Sequence, residues 1–379
     1  MTLKISRLPS FAAAQPAWAL LVAADAHASF FARPEWLETW WRHHSGGKEL
    51  LLVLGEASGR PVALAPLQLE SLRGGMGHRV AFLGSGLSDY GDLLVDETQT
   101  DRAAAVTAIL DAVAGWYPAA VFDFEQISEA SPTLDVLREW TRARGLQTVT
   151  IPQDICPIAA LPAEPELYHK QLKKSFFLDL KRGERRLRER GAVALIDHMR
   201  PTDGDWTDLV TAMGGLQTQR MLSKGETPMW QGPLGLFVRD VLQATDAEGS
   251  LRVTGLTFDG RLIAYELCFL HKNVIYAWSR AFDEDFRNTG PGKIALLHLL
   301  DQGIEQGYRR FDLLRGEEPY KAFWTNGQTQ TYRTTFVIKP SFAAWLWFKY
   351  VTAWKQQLRE LPVARKAYQA LKAMRGGGR

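Results

Sequence analysis

The sequence predicts an α/β protein of the α+β type, built from two domains in tandem. Its 379 residues, 46% of them hydrophobic, are enough for two buried cores. The order strands, loop, helix, strand occurs in each half, although the halves share no sequence repeat. Prolines are concentrated between the halves, at residues 152–165. We expect mixed, mainly antiparallel sheets in domains at residues 1–155 and 165–340, followed by a helical tail at 341–379.

The first half shows the alternation of short apolar runs and turn residues that is typical of strands. Its helices carry apolar residues at helical spacing, with a Trp-rich helix near the start. We predict helices at residues 34–44, 100–116 and 132–144, and strands at 49–56, 61–71, 79–83, 90–95, 120–127 and 147–151.

The second half begins with a strongly basic amphipathic helix at residues 166–190, in which Gly183 should weaken the middle and Gly191 should end the helix. Three strands then follow closely, joined by turn sequences that favour hairpins, the first of them Asp259-Gly260. We predict helices at 206–220, 228–245, 292–306 and 318–325, and strands at 251–258, 261–270, 274–282, 310–314 and 331–339.

The distribution of charge and the number of cysteines indicate the compartment of the protein and the partners it can have. The net charge is only +3, but residues 341–379 carry +7, so the basic excess lies in the tail. Two cysteines form neither a disulfide framework nor a metal cluster, and Cys268 lies in an apolar run. We expect a cytoplasmic protein without a metal. The apolar run at 17–24 loosely imitates a secretory signal, and an opening helix is the favoured interpretation.

A glycine-containing loop between a predicted strand and a predicted helix is the strongest candidate for a ligand site. Gly290 and Gly292 allow a sharp turn, and Arg287 and Lys293 add positive charge at either end. The helix that follows directs its N–H groups and its positive dipole end at the loop. A diphosphate suits such a loop. The alternative is a tight turn that binds nothing.

The spacing Arg-x-x-Gly-x-Gly in this loop resembles the pyrophosphate-binding signature of the GCN5-related N-acetyltransferase (GNAT) superfamily. The order of strands, loop, helix and strand is also that of the GNAT fold. The segment FDLLRGEEPYKAFW at residues 311–324 further resembles the CelD/BcsL-type acetyltransferases of cellulose and exopolysaccharide biosynthesis. That family is similar to the Fem-type aminoacyl transferases, which also have tandem domains. The supporting segments are residues 34–37, 40–41, 185–191, 281–283 and 291–292.

The resemblance implies acetyl-CoA or another acyl-CoA as co-substrate, bound near Trp278, Arg280 and the loop. In related acetyltransferases a tyrosine near Tyr320 protonates the departing thiolate. Lys321 is a candidate for binding a phosphate or an acidic acceptor. Simple packing of Tyr320 and a surface ion pair of Arg280 are the structural alternatives.

Two carboxylates are candidates for the general base of acyl transfer, since no nucleophilic Ser/His/Asp or Cys/His set is apparent. Glu266 lies among apolar neighbours on a predicted strand, where burial would raise its pKa. Pairing with Arg252 or Arg280 is the structural alternative. Asp312 follows the helix after the loop, and is either a base or a buried carboxylate tied to backbone amides.

The first domain lacks a comparable loop, because residues 96–101 contain no glycine and carry three acidic side chains. These acids cap a helix well but repel a diphosphate. We therefore expect the first domain not to bind coenzyme A and to help form the acceptor site.

The function predicted from these features is acyl-CoA-dependent N- or O-acyl transfer to a sugar, nucleotide-sugar or amine in exopolysaccharide or cell-envelope biosynthesis. The basic helix keeps a Fem-like transferase using aminoacyl-tRNA as an alternative, the only interpretation that involves nucleic acid. The aromatic, basic tail suggests peripheral contact with the inner face of the membrane, and an accessory role without catalysis is a third interpretation.

Overall fold

The computed structural model describes residues 3–72, 77–223, 225, 230, 232–339, 346 and 348. The predicted tail at 341–379 therefore lies almost entirely outside the described residues. Contacts between Cα atoms divide the chain into two units. Unit 1 comprises residues 1–37, 44–153 and 331–379, and unit 2 comprises residues 38–43 and 154–330. The sequence-based boundaries at 155, 165 and 340 differ from these because two strands pass from one unit to the other.

The helices of the described residues follow the apolar periodicity of the sequence, and three short 3₁₀ turns accompany them (Phe30–Ala32, Glu284–Thr289 and Lys321–Phe323). Most apolar residues on their inner faces are buried. The α-helices are α1 (Phe11–Ala24), α2 (Pro34–His44), α3 (Arg102–Trp116), α4 (Thr133–Ala143), α5 (Pro165–Gln171), α6 (Lys174–Arg188), α7 (Thr207–Ser223), α8 (Pro233–Ala247) and α9 (Pro291–Glu305).

The strands are mainly antiparallel, and in the described residues β11 pairs with β12 and β4 with β6 in parallel. They are β1 (Lys4–Leu8), β2 (Lys48–Ala57), β3 (Arg60–Ser71), β4 (His78–Phe82), β5 (Leu94–Val95), β6 (Val121–Ser128), β7 (Thr148–Ala160), β8 (Val193–Ile196), β9 (Leu251–Phe258), β10 (Arg261–His271), β11 (Val274–Phe282), β12 (Arg310–Asp312) and β13 (Gly327–Val337).

Unit 1 contains the strand order β1-β2-β3-β4-β6-β13, with β5 paired to β3. Its main core packs α3 and α4 on the sheet through residues such as Ile109, Leu137, Phe122 and Phe336. The rings of Phe122 and Phe336 stack with their centroids 4.8 Å apart. The helix predicted at residues 17–24 is the second half of α1, and its Trp18 is fully buried.

Unit 2 contains the order β7-β12-β11-β10-β9-β8. Helices α5, α6 and α9 pack on one core, in which Phe176, Leu300 and Phe311 are buried, and Cys268 is a core residue as predicted. The β9–β10 hairpin turns at Asp259 and Gly260, whose φ angles of 48° and 80° match the predicted two-residue turn.

Four predicted segments were wrong in detail. The predicted helix at residues 166–190 is two helices, because Leu172 and Lys173 are extended and Leu172 is buried in the core. The proline-rich segment thought to be a linker lies largely in β7, where Pro157 accepts a hydrogen bond from Leu313 N–H. Of the strand predicted at 90–95, only Leu94–Val95 forms, and of the helix at 318–325, only a 3₁₀ turn forms.

Candidate active site

Strands β11 and β12 diverge and leave a gap in the sheet of unit 2. They pair in parallel only from Val274 to Tyr276, opposite Arg310–Asp312. Beyond that point the chain after β12 turns to β7, where the N–H groups of Leu313 and Gly316 donate to the carbonyls of Pro157 and Ile155. Strand β11 continues to Phe282. Among the described residues, its edge from 277 to 282 therefore has no strand partner on the β12 side.

A β-bulge at Trp278 lies near the start of this edge. The register of β10 with β11 moves from Leu267 opposite Ser279 to Cys268 opposite Ala277, so Trp278 is the additional residue. The Trp278 ring packs against Phe269 at 5.3 Å and against Trp230 at 6.1 Å between centroids. The bulge turns the backbone of β11 out of the regular ladder at the mouth of the gap.

The side chains of Glu266, Arg280 and Tyr320 come together beside this edge. Glu266 and Arg280 are cross-strand neighbours, and Arg280 Nη2 donates to Glu266 Oε1 at 2.6 Å. Glu266 is 1% exposed. The Arg280 guanidinium carbon lies 4.6 Å from the centroid of the Tyr320 ring. Of the two arginines suggested as partners of Glu266, Arg280 is the one that pairs with it in the structure.

Burial controls the protonation of this group. Burial raises the pKa of Glu266 to about 7, although Arg280 and Arg220 lower it. Burial by itself would lower the pKa of Arg280, but Glu266 and Tyr320 raise it above its usual value, so the guanidinium stays charged. A carboxyl that titrates near neutral pH accepts and releases protons under ordinary conditions.

Arg220 of α7 is a neighbour of this group that the sequence reasoning missed. Its Nη1 donates to the Arg280 carbonyl at 2.9 Å. The residue lies near the end of a helix that the sequence predicts well, but no local motif distinguishes it from a surface arginine. Only the packing of α7 on β11 reveals the contact.

Asp312 and Lys321 hold the backbone where the chain leaves β12 and turns away from β11. Asp312 Oδ1 accepts the Leu314 N–H at 2.9 Å, and Lys321 Nζ donates to the carbonyls of Leu314 and Arg315. Leu314 has a φ of 56°, a left-handed conformation that is unfavourable for a leucine. Both side chains are buried. Their contacts favour a structural role, and the catalytic roles considered for them stay predictions.

The predicted diphosphate loop offers fewer hydrogen-bond donors to a ligand than its sequence indicates. Arg287 Nε is 2.6 Å from Glu284 Oε2, so this cation already has a partner. Pro291 has no N–H, and the N–H groups of Lys293 and Ile294 donate to the Gly290 carbonyl. Residues 283–293 also carry three acidic against two basic side chains. A bound diphosphate here would compete with Glu284 for Arg287.

The loop is attached to α6 by a close backbone approach. Gly290 has a φ of 68°, the left-handed conformation that ends the 3₁₀ turn and begins α9. A Cβ atom at Gly183 would lie 2.1 Å from the Thr289 carbonyl oxygen. Helix α6 is continuous through Gly183, and the absence of a side chain there lets this helix reach the loop. Gly292 faces Phe282, whose Cδ1 would lie 3.3 Å from an added Cβ.

Unit 1 contains the same divergence of strands, but its own chain fills it. β4 and β6 pair only at Arg79 and Val80. Gly91 then lies between the two strands, since an added Cβ would be 2.7 Å from Phe82 and 2.8 Å from the Glu125 carbonyl. Its N–H donates to the Gln126 carbonyl at 3.0 Å. This packing is why the strand predicted at 90–95 does not form in full.

Residues 174–322 match the family model described as an acetyltransferase (GNAT) domain. The chain carries an acyltransferase domain of GNAT type. The matched region contains the basic helix, the β9–β11 meander, the loop, α9 and Tyr320. A search of curated proteins finds no match.

Solved structures similar to this chain extend over both units. The structure of FemX covers 87% of this chain and 97% of its own, with 11% identity and a TM-score of 0.62. The C-terminal domain of a putative lysylphosphatidylglycerol synthetase from Agrobacterium fabrum covers 90% and 96%, with 17% identity and a TM-score of 0.55. These likenesses confirm the predicted fold class. Membership of the CelD/BcsL-type family stays a prediction.

Two further properties concern only the described part of the chain. There, no helix is both long and apolar enough to cross a bilayer. Within the same residues, no three His, Cys, Asp or Glu side chains are grouped in a way that would hold a metal ion.

Proposed function

We propose that the protein transfers an acyl group from acetyl-CoA, or another acyl-CoA, to an amine or hydroxyl group of a sugar, nucleotide-sugar or amine. We place this reaction in exopolysaccharide or cell-envelope biosynthesis on the CelD/BcsL resemblance alone. The observation that carries the proposal is the edge of β11 that no strand of the described residues covers on the β12 side, with Glu266, Arg280 and Tyr320 beside it. An extended thioester arm fits a strand edge that no other strand covers, because its amides can pair with backbone groups along such an edge.

The proposed reaction is direct transfer. The acceptor nitrogen or oxygen attacks the thioester carbonyl carbon, the new C–N or C–O bond forms, and the C–S bond breaks. Glu266 takes the proton that the acceptor loses, directly or through a water molecule. Tyr320 gives a proton to the departing thiolate. Arg280 lies between these two groups and holds Glu266 in place.

Isothermal titration of acetyl-CoA and of free coenzyme A into the purified protein tests the donor. We expect micromolar binding that is weakened in Arg287→Ala and unchanged in Arg200→Ala, an exposed arginine in the same unit. Arg287 is preferred to Gly292 because a side chain at Gly292 would also displace Phe282 of β11. Absence of binding to the wild type would refute the use of acyl-CoA.

The charge distribution supports one alternative, transfer from aminoacyl-tRNA. Residues 283–285, just before the diphosphate loop, are all acidic, whereas segment 170–190 has nine basic and three acidic side chains. Several of these bases are partly neutralised by pairs within α6, such as Arg188 with Glu184. If aminoacyl-tRNA is the donor, the protein should bind tRNA with an affinity that falls steeply as the salt concentration rises. Electrophoretic mobility of aminoacyl-tRNA at low salt distinguishes the two donors, since the acyl-CoA proposal predicts no shift.

A further inference from the structure

An aromatic cluster of four side chains, Tyr265, Phe269, Trp278 and Trp230, lies at the bulge of β11. Between ring centroids, Trp278 is 5.3 Å from Phe269 and 6.1 Å from Trp230. Trp230 is in turn 5.8 Å from Tyr265. Because successive side chains of a strand point to opposite faces, Tyr265 and Phe269 of β10 lie on the face opposite Glu266. The sheet therefore has an aromatic face here and a charged face behind it.

The direction of the proposed thioester arm follows from the order of the chain. The diphosphate loop comes after the end of β11 at Phe282, so the arm would reach the edge of β11 from that end. The edge at residues 277–282 spans about 17 Å at a rise of ~3.3 Å per residue. It ends where β11 pairs with β12, at Tyr276. An arm that follows this edge would carry its acyl group to the bulge at Trp278.

Trp230 belongs both to the aromatic cluster and to the lining of a cavity. The cavity has a volume of about 440 Å³, and the described residues that line it lie on α7, on α8 and between these helices. Val210 and Leu236 give it apolar walls. Among the described lining residues, Trp230 alone is a member of the aromatic cluster. Its side chain, 8% exposed, therefore forms the wall between the cavity and the bulge of β11.

We propose that Trp230 and Trp278 limit the acyl group of the donor to a short chain such as acetyl. The inference rests on the proposed function in taking an acyl-CoA as the donor. On one face of the sheet a longer chain would have to displace packed aromatic rings. On the other face it would meet the buried charges of Glu266 and Arg280, which an apolar chain cannot satisfy. An apolar site that does not fit an extra methylene discriminates against it by about tenfold or more.

The test is titration calorimetry of free coenzyme A, acetyl-CoA and hexanoyl-CoA into the full-length protein. We expect hexanoyl-CoA to bind the wild type at least about tenfold more weakly than acetyl-CoA. Trp230→Ala opens the wall to the cavity, so hexanoyl-CoA should bind this variant at least about tenfold more tightly than it binds the wild type. Free coenzyme A should bind both proteins equally. Trp116→Ala, at an exposed tryptophan on α3, is the control and should keep the wild-type preference.

Equal affinities of the wild type for hexanoyl-CoA and acetyl-CoA would overturn the inference and retain the donor, whatever the stability of the variants. An unchanged preference in a Trp230→Ala protein that still binds free coenzyme A would also overturn it. If Trp230→Ala no longer binds free coenzyme A, Trp230→Leu, which keeps a smaller apolar side chain, is judged by the same criterion. Absence of binding of all three ligands to the wild type would reject the donor and this inference with it.

Discussion

Glu266 and Arg280 place two opposite charges in the middle of a sheet, where both lose most of their contact with water. Taking charges out of water is costly, and a pair of apolar residues would fill the same space without that cost. Sequence reasoning identified Glu266 because a carboxylate stood among apolar residues, and it offered pairing as the structural alternative. The structure confirms the pairing with Arg280, and burial still leaves Glu266 a pKa of about 7, so pairing and proton transfer are compatible.

The raised pKa of Glu266 predicts a pH dependence of stability. Between its ordinary pKa of about 4.5 and the folded value of about 7, the carboxyl is ionised in the unfolded chain and protonated in the folded one. Raising the pH through this window therefore favours unfolding, by about 3 kcal/mol in total. Urea unfolding at pH 5 and pH 7.5 should show this loss of stability.

Glu266→Gln removes the titrating group, so that part of the pH dependence should disappear in this variant. Glu189→Gln, an exposed glutamate on the turn after α6, is the control and should retain it. An unchanged pH dependence in Glu266→Gln would show that Glu266 ionises at its ordinary pKa.

The Arg287–Glu284 pair predicts a second effect at the residue scale. Glu284→Gln removes a negative charge from the loop and releases Arg287 for a diphosphate. We expect acetyl-CoA to bind several-fold more tightly to this variant at low salt, with a smaller difference at high salt. Titration calorimetry of Glu284→Gln beside Glu248→Gln, at the end of α8, measures it. Weaker binding to Glu284→Gln would show that Glu284 itself orders the site.

At the scale of elements, helices and hairpins with strong local signals were predicted well. The β9–β10 hairpin follows from Asp259-Gly260, and α9 from its apolar spacing and the preceding glycine. The errors came where tertiary contacts, and not the local sequence, determine the secondary structure. Leu172 breaks the basic helix because its side chain enters the core, and Pro157 is accepted in β7 because its carbonyl pairs with Leu313. Neither contact is visible in the local sequence.

Gly183 gives a prediction at the same scale. Alanine normally stabilises a helix interior relative to glycine by about 0.5–1 kcal/mol. At Gly183 the added methyl group would meet the Thr289 carbonyl, so Gly183→Ala should lower the midpoint of thermal unfolding and displace the loop. Gly115→Ala on α3, where an added Cβ meets no atom within 4 Å, is the matched control and should raise that midpoint. Stabilisation by both substitutions would contradict the close approach.

At the scale of the whole molecule, two units share one plan of diverging strands but differ in what occupies the divergence. Unit 1 fills it with Gly91, and unit 2 leaves the edge of β11 open. This difference could not be predicted from the sequence, because it depends on the packing of Gly91 between two strands. The absence of coenzyme A binding in the first domain, predicted from the acidic residues at 96–101, stays a prediction. The Glu266–Arg280–Tyr320 group and the contact of Arg220 could not be predicted together, because they join residues far apart in sequence.

Hydrogen–deuterium exchange of the whole protein, with and without acetyl-CoA, tests most directly that unit 2 holds the thioester on its open strand edge. We predict slower exchange at residues 277–293, which contain the edge of β11 and the loop, and unchanged exchange at residues 78–95 of unit 1. Protection at 78–95, or no protection in either segment at saturating acetyl-CoA, would contradict the account.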